Sequence, residues 1–176
     1  VTESIRSTLE LPEVLDTIVT VVSEDLRAKG CAIHLVDDAT SKLEIRAANG
    51  LARAFVDSLV DAFSSDVAHE VLTGRSVAIY DARSDDQVEA QDLMRAEGVA
   101  SILLTPLLRR QNVIGVMSLF TFRPYVFSAE EKQLMEAIGE QCSLAIDNAK
   151  MFAALKRRYD SLVDDFNLWF EHTQGV

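Results

Sequence analysis

Residues 101–122 read Ser-Ile-Leu-Leu-Thr-Pro-Leu-Leu-Arg-Arg-Gln-Asn-Val-Ile-Gly-Val-Met-Ser-Leu-Phe-Thr-Phe. Two apolar, β-rich runs, Ser101 to Leu108 and Val113 to Phe122, flank the polar residues Arg109 to Asn112. So short a polar join between two such runs predicts an antiparallel hairpin. Pro106 has no N–H to give to a ladder, which predicts a sheet edge or a bulge at that point.

Working outward, the same pattern recurs. Cys31 to Val36 and Leu43 to Ala48 are two shorter runs around the polar turn Asp37 to Lys42, a second hairpin. Ser76 to Tyr80 is a further short strand. Between these lie helical stretches. Leu11 to Gly30 carries Leu15, Ile18, Val19, Val22 and Leu26 at spacings of three and four, with Pro12 in the first turn and Gly30 expected as the left-handed stop. Ile5 and Leu9 are spaced for a short helix before it. Val67 to Leu72 and Gln91 to Glu97 read as short helices ended by Gly74 and Gly98, and Asp81 to Glu89 reads as a loop. Residues 51–63 carry no pattern that assigns them. Ser128 with Glu131 three residues on forms a capping box that opens a long final helix.

The order is helix, two strands, helix, strand, helix, two strands, long helix. Antiparallel hairpins with helices around them make the fold class α+β, with helices packed on a sheet. A doubly wound nucleotide fold would need alternating crossovers and a glycine-rich first turn, and the chain has neither.

The long helix carries a further signal. From Leu134 the spacing runs through Ile138, Gln141, Ala145, Asn148, Phe152, Leu155, Tyr159, Leu162, Phe166 and Trp169, alternating four and three. This is a heptad seam of about five repeats with polar Gln141 and Asn148 inside it. A continuous helix from Ser128 to His172 would be about 68 Å long, whereas a domain of this size is about 40 Å across. Its far half therefore cannot all lie on its own sheet. Two arrangements would cover Phe152, Leu155, Tyr159, Leu162, Phe166 and Trp169: a parallel dimer with a second copy, the favoured expectation, or a hairpin against the first helix of the same chain.

Composition narrows the partners. The 176 residues hold 17 Lys plus Arg against 28 Asp plus Glu, a net charge of −11, and 48% are hydrophobic. A chain so acidic is a poor partner for nucleic acid or an anionic membrane surface. No apolar run approaches the roughly 20 residues a membrane span needs, and no signal peptide is recognisable. Two cysteines, Cys31 and Cys142, make no disulfide framework, and three scattered histidines and no CxxC suggest no zinc. A cytoplasmic setting is the expectation. The start at Val1 is expected to mark a processed chain or a piece of something longer.

Taken together, these residues resemble the GAF domains of signalling proteins. The match lies in Arg95-Ala96-Glu97-Gly98-Val99-Ala100-Ser101-Ile102-Leu103-Leu104-Thr105-Pro106-Leu107 and Val113-Ile114-Gly115-Val116-Met117-Ser118-Leu119. Around it stand Thr73-Gly74-Arg75-Ser76-Val77, Asp81, Phe127-Ser128-Ala129-Glu130-Glu131 and Ala145-Ile146-Asp147-Asn148-Ala149. The resemblance covers roughly residues 3–152. It implies a PAS-like central antiparallel sheet between helical layers, with the N-terminal helix and the long C-terminal helix packed on one side. It also implies a domain over 1–152 and an extension of the signalling helix over 153–176.

By the same resemblance, a small molecule would bind between the sheet and the short helices. Strand alternation puts Ala32 and His34, then Val116, Ser118 and Phe120, on the face that the resemblance assigns to this cavity. Ala48, Val67, Met94 and Val99 would complete its walls. His34 would bond a ligand, sense pH, or simply bond a backbone carbonyl.

The ligand classes of relatives match less well. Cyclic-nucleotide binders carry an Asn-Lys pair where this chain has Thr121-Phe122. Haem binders carry a His near the helix before Gly98, where Met94 and Arg95 stand, and neither cysteine sits where bilins attach. Neither is placed for methionine sulfoxide reduction, so no catalytic residue is expected. The expectation is a sensor module of a cytoplasmic signalling protein that relays to an output domain through a dimeric helix. A ligand-free dimerisation module is the alternative, and a cysteine-based methionine sulfoxide reductase, as some relatives are, is the third.

Overall fold

The computed structural model describes residues 11–173. The expected short helix around Ile5 and Leu9 lies outside them. Five strands, β1 (Gly30–Val36), β2 (Leu43–Asn49), β3 (Val77–Ile79), β4 (Ile102–Arg109) and β5 (Asn112–Phe120), form one antiparallel sheet in the order β2-β1-β5-β4-β3. The decisive hairpin is β4–β5, in register from Ile102 opposite Phe120 to Arg109 opposite Asn112. Pro106 lies beyond the reach of β3, which pairs only with Ile102 to Leu104, and just ahead of a register shift between Leu107 and Leu108. Both devices that make a strand proline tolerable are therefore present.

Helices α1 (Leu11–Asp25) and α5 (Ala129–Thr173) cover one face of the sheet. Leu15, Val19 and Val22 of α1 and Met135, Cys142 and Ile146 of α5 bury against Cys31, Ile33, Leu103, Leu107, Met117 and Leu119. The other face is capped by short pieces: α2 (Arg53–Ser58), a 3₁₀ turn at Leu59–Asp61, α3 (Ser65–Leu72) and α4 (Gln91–Glu97). Their apolar side chains, led by Phe55, Val56, Leu59, Val67, Val71 and Met94, pack on Ala32, Ile102, Leu104, Val116 and Phe120. Period-two alternation along the strands divides the two cores.

The expected left-handed stop of the first helix falls elsewhere. The helix ends at Asp25, and Arg27 takes the positive φ, at 49°. Gly30 opens β1 and is needed for a different reason. A Cβ there would lie 2.4 Å from the Asn49 carbonyl oxygen and 2.7 Å from the Leu51 side chain. Gly98, by contrast, does end α4 in the left-handed region, at φ 74°. At the start of α5 the capping box forms: the Ser128 N–H donates to Glu131 Oε2 at 2.8 Å, and the Glu131 N–H donates to Ser128 Oγ at 3.1 Å. The Tyr125 hydroxyl donates to the same carboxylate at 2.5 Å. These bonds, Tyr125's foremost, hold the Glu131 carboxyl below its usual range.

Helix α5 is unbroken over 45 residues. Its sheet-facing stripe ends at Ile146, and the Arg109–Asp147 and Lys150–Asp38 ion pairs, 3.3 and 3.4 Å, mark its last links to the domain. From Met151 to Phe170 every residue is exposed. The helix does not turn back on α1, so the hairpin arrangement is not the one adopted.

Candidate functional site

On the capped face a cavity of about 80 Å³ remains between sheet and cap. The sheet contributes His34 from β1, Leu104 from β4, and Val116 and Ser118 from β5. Leu59, Phe63, Val67 and Val71 close its sides. The mouth lies between the 3₁₀ turn and α3, where Val60, Ala68 and Leu72 are exposed. It forms there because α3 is only eight residues long, capped by the Ser64 hydroxyl accepting from the Val67 N–H. A helix this short lays one apolar edge, Val67 and Val71, on the sheet and leaves the space beside it open.

The walls are almost entirely apolar. Two polar side chains reach them, the Ser118 hydroxyl and the His34 imidazole, both buried. His34 Nε2 lies 3.2 Å from the Val56 carbonyl oxygen of α2. A carbonyl only accepts, so Nε2 carries the proton and Nδ1 is left as an acceptor. Burial holds the His34 pKa below its ordinary value, opposed by the bond to Val56 and by the charge of Asp57. The ring is neutral at pH 7. It is therefore also a strut that ties β1 to α2.

The structure brings four of the nine sequence-derived pocket residues, His34, Val67, Val116 and Ser118, to the cavity wall. Ala32, Met94, Val99 and Phe120 are on the expected face but packed solid, Phe120 against the Phe55 ring edge-on at 5.5 Å. Ala48 is half-buried against this core and borders an outer groove beside Leu51 and Arg53. Several lining residues were not foreseen. Leu59 and Phe63 fall in the unassigned stretch 51–63. Leu104 could have been found by carrying the alternation along β4 from Ile102. Val71 could have been found four residues on from Val67, on the same helix edge.

A second feature absent from the sequence reading lies at the end of the sheet. Lys29 Nζ sits 3.4 Å from both Glu97 Oε1 and the Gly50 carbonyl oxygen, and Glu97 Oε1 accepts the Ala52 N–H at 2.9 Å. This partly buried pair pins the entry to α2 against the end of α4 and beside β1. The Lys29 ammonium also lies 5.5 Å from the centre of the Phe122 ring.

Both cysteines are on the opposite face of the sheet. Cys31 and Cys142 are buried in the α1–α5 core, and burial pushes their thiols up to about 12 and about 11. Neither is a thiolate at neutral pH, and the thiolate is the reactive form. Among the described residues, no group of three or more His, Cys, Asp or Glu is placed to hold a metal ion, and no helix is long and apolar enough to cross a membrane.

Beside the sheet the outward stripe of α5 is half-buried at Ile138 and Ala145, with Ile138 packed on the α1–α5 core; beyond the sheet it is exposed. Leu134, Leu155, Tyr159, Leu162, Phe166 and Trp169 are about half exposed or more, and Phe152 is 38% exposed.

Comparison with known proteins places this architecture. In sequence the chain is similar to the formate hydrogenlyase transcriptional activator of Salmonella typhimurium, 21% identical over 172 residues, covering 94% of this chain and 25% of that one. It thus spans about a quarter of the length of the curated relatives it matches. In structure it is similar to the GAF domain of a phosphoenolpyruvate-protein phosphotransferase from Coxiella burnetii, with TM-score 0.69, 16% identity, and 87% and 92% of the two chains covered. It is also similar to a type II free methionine-R-sulfoxide reductase from Thermoplasma acidophilum, with TM-score 0.64, 16% identity, and 79% and 96% covered. At such identities the likeness is one of fold. The model of the GAF domain family matches residues 8–147, the whole of the sheet and both of its layers, and the chain belongs to that family.

Proposed function

We propose that this GAF domain is the sensory module of a larger signalling protein. It takes up a small molecule between the sheet and the α2–α3 cap, and it passes the change to an output domain through a parallel homodimer of α5. The observation that carries this reading is the outward stripe of α5. It runs from Leu134 beside the sheet to Trp169 beyond it, on one unbroken helix, and it is exposed throughout its far half.

Apolar side chains this large gain about 1.5–3 kcal/mol each when fully buried, and an in-register parallel pair buries them together. Such a pair also sets Gln141 against Gln141 and Asn148 against Asn148, a device that fixes register at some expense of stability. Because the same helix packs Met135, Cys142 and Ile146 on the sheet, movement of the strands reaches the seam directly. A ligand acts through this seam only as far as it prefers one helix arrangement over another. A chain that spans a quarter of a transcriptional activator fits a module whose output lies elsewhere in the parent protein.

The module itself has no catalytic role in this reading, since both thiols are protonated and on the far side of the sheet from the cavity. A second reading, a dimerisation domain with a filled cavity, is favoured by the small volume of about 80 Å³. Native mass spectrometry of the purified chain tests both. A dimer is expected, with Phe152→Glu plus Tyr159→Glu giving folded monomers. Extra mass on the dimer favours the sensor; bare mass favours the filled-cavity reading and leaves a weakly held ligand open. A monomeric parent chain overturns the seam.

A further inference from the structure

The cavity is small, and no charged side chain is among its lining residues. Those two properties limit what it can hold. Ordinary organic ligands occupy pockets of roughly 300–1,000 Å³. On the measure by which a single water needs about 10–15 Å³, a space of about 80 Å³ holds about five to eight water-sized heavy atoms. A nucleotide, a haem or a bilin does not fit inside this space as it stands.

Charge is excluded more strongly than size. A carboxylate or ammonium drawn into this space leaves water and meets Leu59, Leu104, Val67, Val71 and Val116 with no counter-ion among the lining residues. The His34 ring cannot serve as one, because burial keeps it neutral and its N–H is already given to Val56. What the walls do offer is one hydroxyl, that of Ser118, able to donate and accept, and the acceptor Nδ1 of His34. The two stand on neighbouring strands, where His34 pairs with Val116 and Ala32 with Ser118. The rim matches the interior: Val60 and Leu72 are exposed apolar side chains at the mouth, so an apolar body meets no polar barrier on entry.

We propose that the cavity binds an uncharged molecule of about five to eight heavy atoms, apolar over most of its surface and bearing a single hydroxyl or carbonyl that bonds Ser118. This rests on the reading of the cavity as the sensing site, and names the chemical class that the site accepts. At the ceiling of about 1.5 kcal/mol per heavy atom, a ligand of about five atoms reaches about micromolar affinity, which suits a sensor of an abundant compound rather than a tightly held cofactor.

Three probes with one four-carbon body and different heads test the class on the full chain: 1-butanol, butyrate and butylammonium. Amide NMR titration is the readout, followed at His34, Val67, Val116 and Ser118. 1-Butanol is expected to shift these signals saturably, and both charged probes to bind at least about a hundredfold more weakly. Ser118→Ala is expected to weaken 1-butanol by about two- to tenfold, the worth of one ordinary hydrogen bond. Val71→Phe fills the space and is expected to abolish the shifts. The comparison of the three heads on the parent chain needs no variant, so a failure of Val71→Phe to fold leaves the test intact. Butyrate or butylammonium binding at these residues within tenfold of 1-butanol overturns the neutral class and leaves the sensing role standing. Silence from all three probes, on a chain that is folded and dimeric, overturns the class and the sensing role together.

Discussion

The two faces of one sheet are built differently. On one face, two long helices of 15 and 45 residues lay continuous apolar stripes along the strands, and the open spaces on that side are grooves at either end of α1, beside Leu119 and Met135 and beside Leu15 and Leu35. On the other, four pieces of three to eight residues each contribute one or two buried side chains, with helix ends and loops between them. A helix only two turns long covers a small patch, and its ends need polar partners. A face tiled in this way keeps gaps. The cavity that reaches between the pieces, with its one imidazole and its one hydroxyl, is on the tiled face, while the helix that leaves the domain is on the other. Space for a ligand and stiffness for a relay are thus divided between opposite sides of strands one residue thick.

Two adjacent residues of β4 allow the largest test of that division. Leu103 is fully buried under the long helices, and Leu104 points the other way and borders the cavity. Leu103→Ala leaves a new void among tightly packed neighbours and is expected to cost about 3–5 kcal/mol. Leu104→Ala enlarges a space that already exists and loses fewer contacts, with an expected cost of about 2–3 kcal/mol. Urea unfolding of both variants checks this. Equal losses would mean that the tiled face is packed as tightly as the other.

A smaller effect is expected where the tiles are pinned together. Glu97 holds Lys29 at 3.4 Å and the Ala52 N–H at 2.9 Å, and both side chains of the pair are only 13% exposed. Glu97→Ala leaves the Lys29 charge and the Ala52 donor without that acceptor, for an expected loss of about 1–3 kcal/mol. Glu97→Gln keeps an acceptor for Ala52 and should lose about half as much. If both are neutral by thermal unfolding, the pin contributes nothing to holding α2 in place.

How much of this was legible in the sequence follows the same division. The β4–β5 and β1–β2 hairpins, the capping box at Ser128 and the stripe of α5 were readable because each is local or repeats at a fixed period. Much of the tiled face was not. Phe55, Val56 and Leu59 sit in pieces too short to show a helical period, so residues 51–63 gave no assignment. Glu97 lies 68 residues from Lys29, and the partner of His34 is a backbone carbonyl 22 residues on, inside that unassigned stretch. Strand alternation placed Phe120, and the family resemblance Met94 and Val99, on the right face, but neither carries information on which of them border empty space. That depends on packing between elements. The stop after α1 shows the same limit: a glycine was expected, and Arg27 supplies the turn because Gly30 is taken up by the close approach to Asn49 and Leu51.

The His34 strut should give the smallest and most specific signal. Asp57, Glu44 and Arg53 border the cleft outside the ring, and of these Asp57 raises its proton affinity while burial lowers it further. The net folded-state pKa is below the unfolded value near 6.5. The unfolded chain therefore binds more protons than the native one in the window between those two values. Stability is fully retained above about pH 6.5, falls as the pH drops through that value, and levels off once the folded-state pKa is passed. One such group changes stability by at most about 1.4 kcal/mol per pH unit. Parent chain and His34→Leu, unfolded in urea at pH 7.5, 6.5, 5.5 and 4.5, should differ in slope below pH 6.5, the variant being flatter. Parallel curves would mean that the ring charges freely in the native state. The apolar environment ascribed to the cavity floor would then be wrong, and with it the physical distinction between the two faces at the point where a ligand would sit.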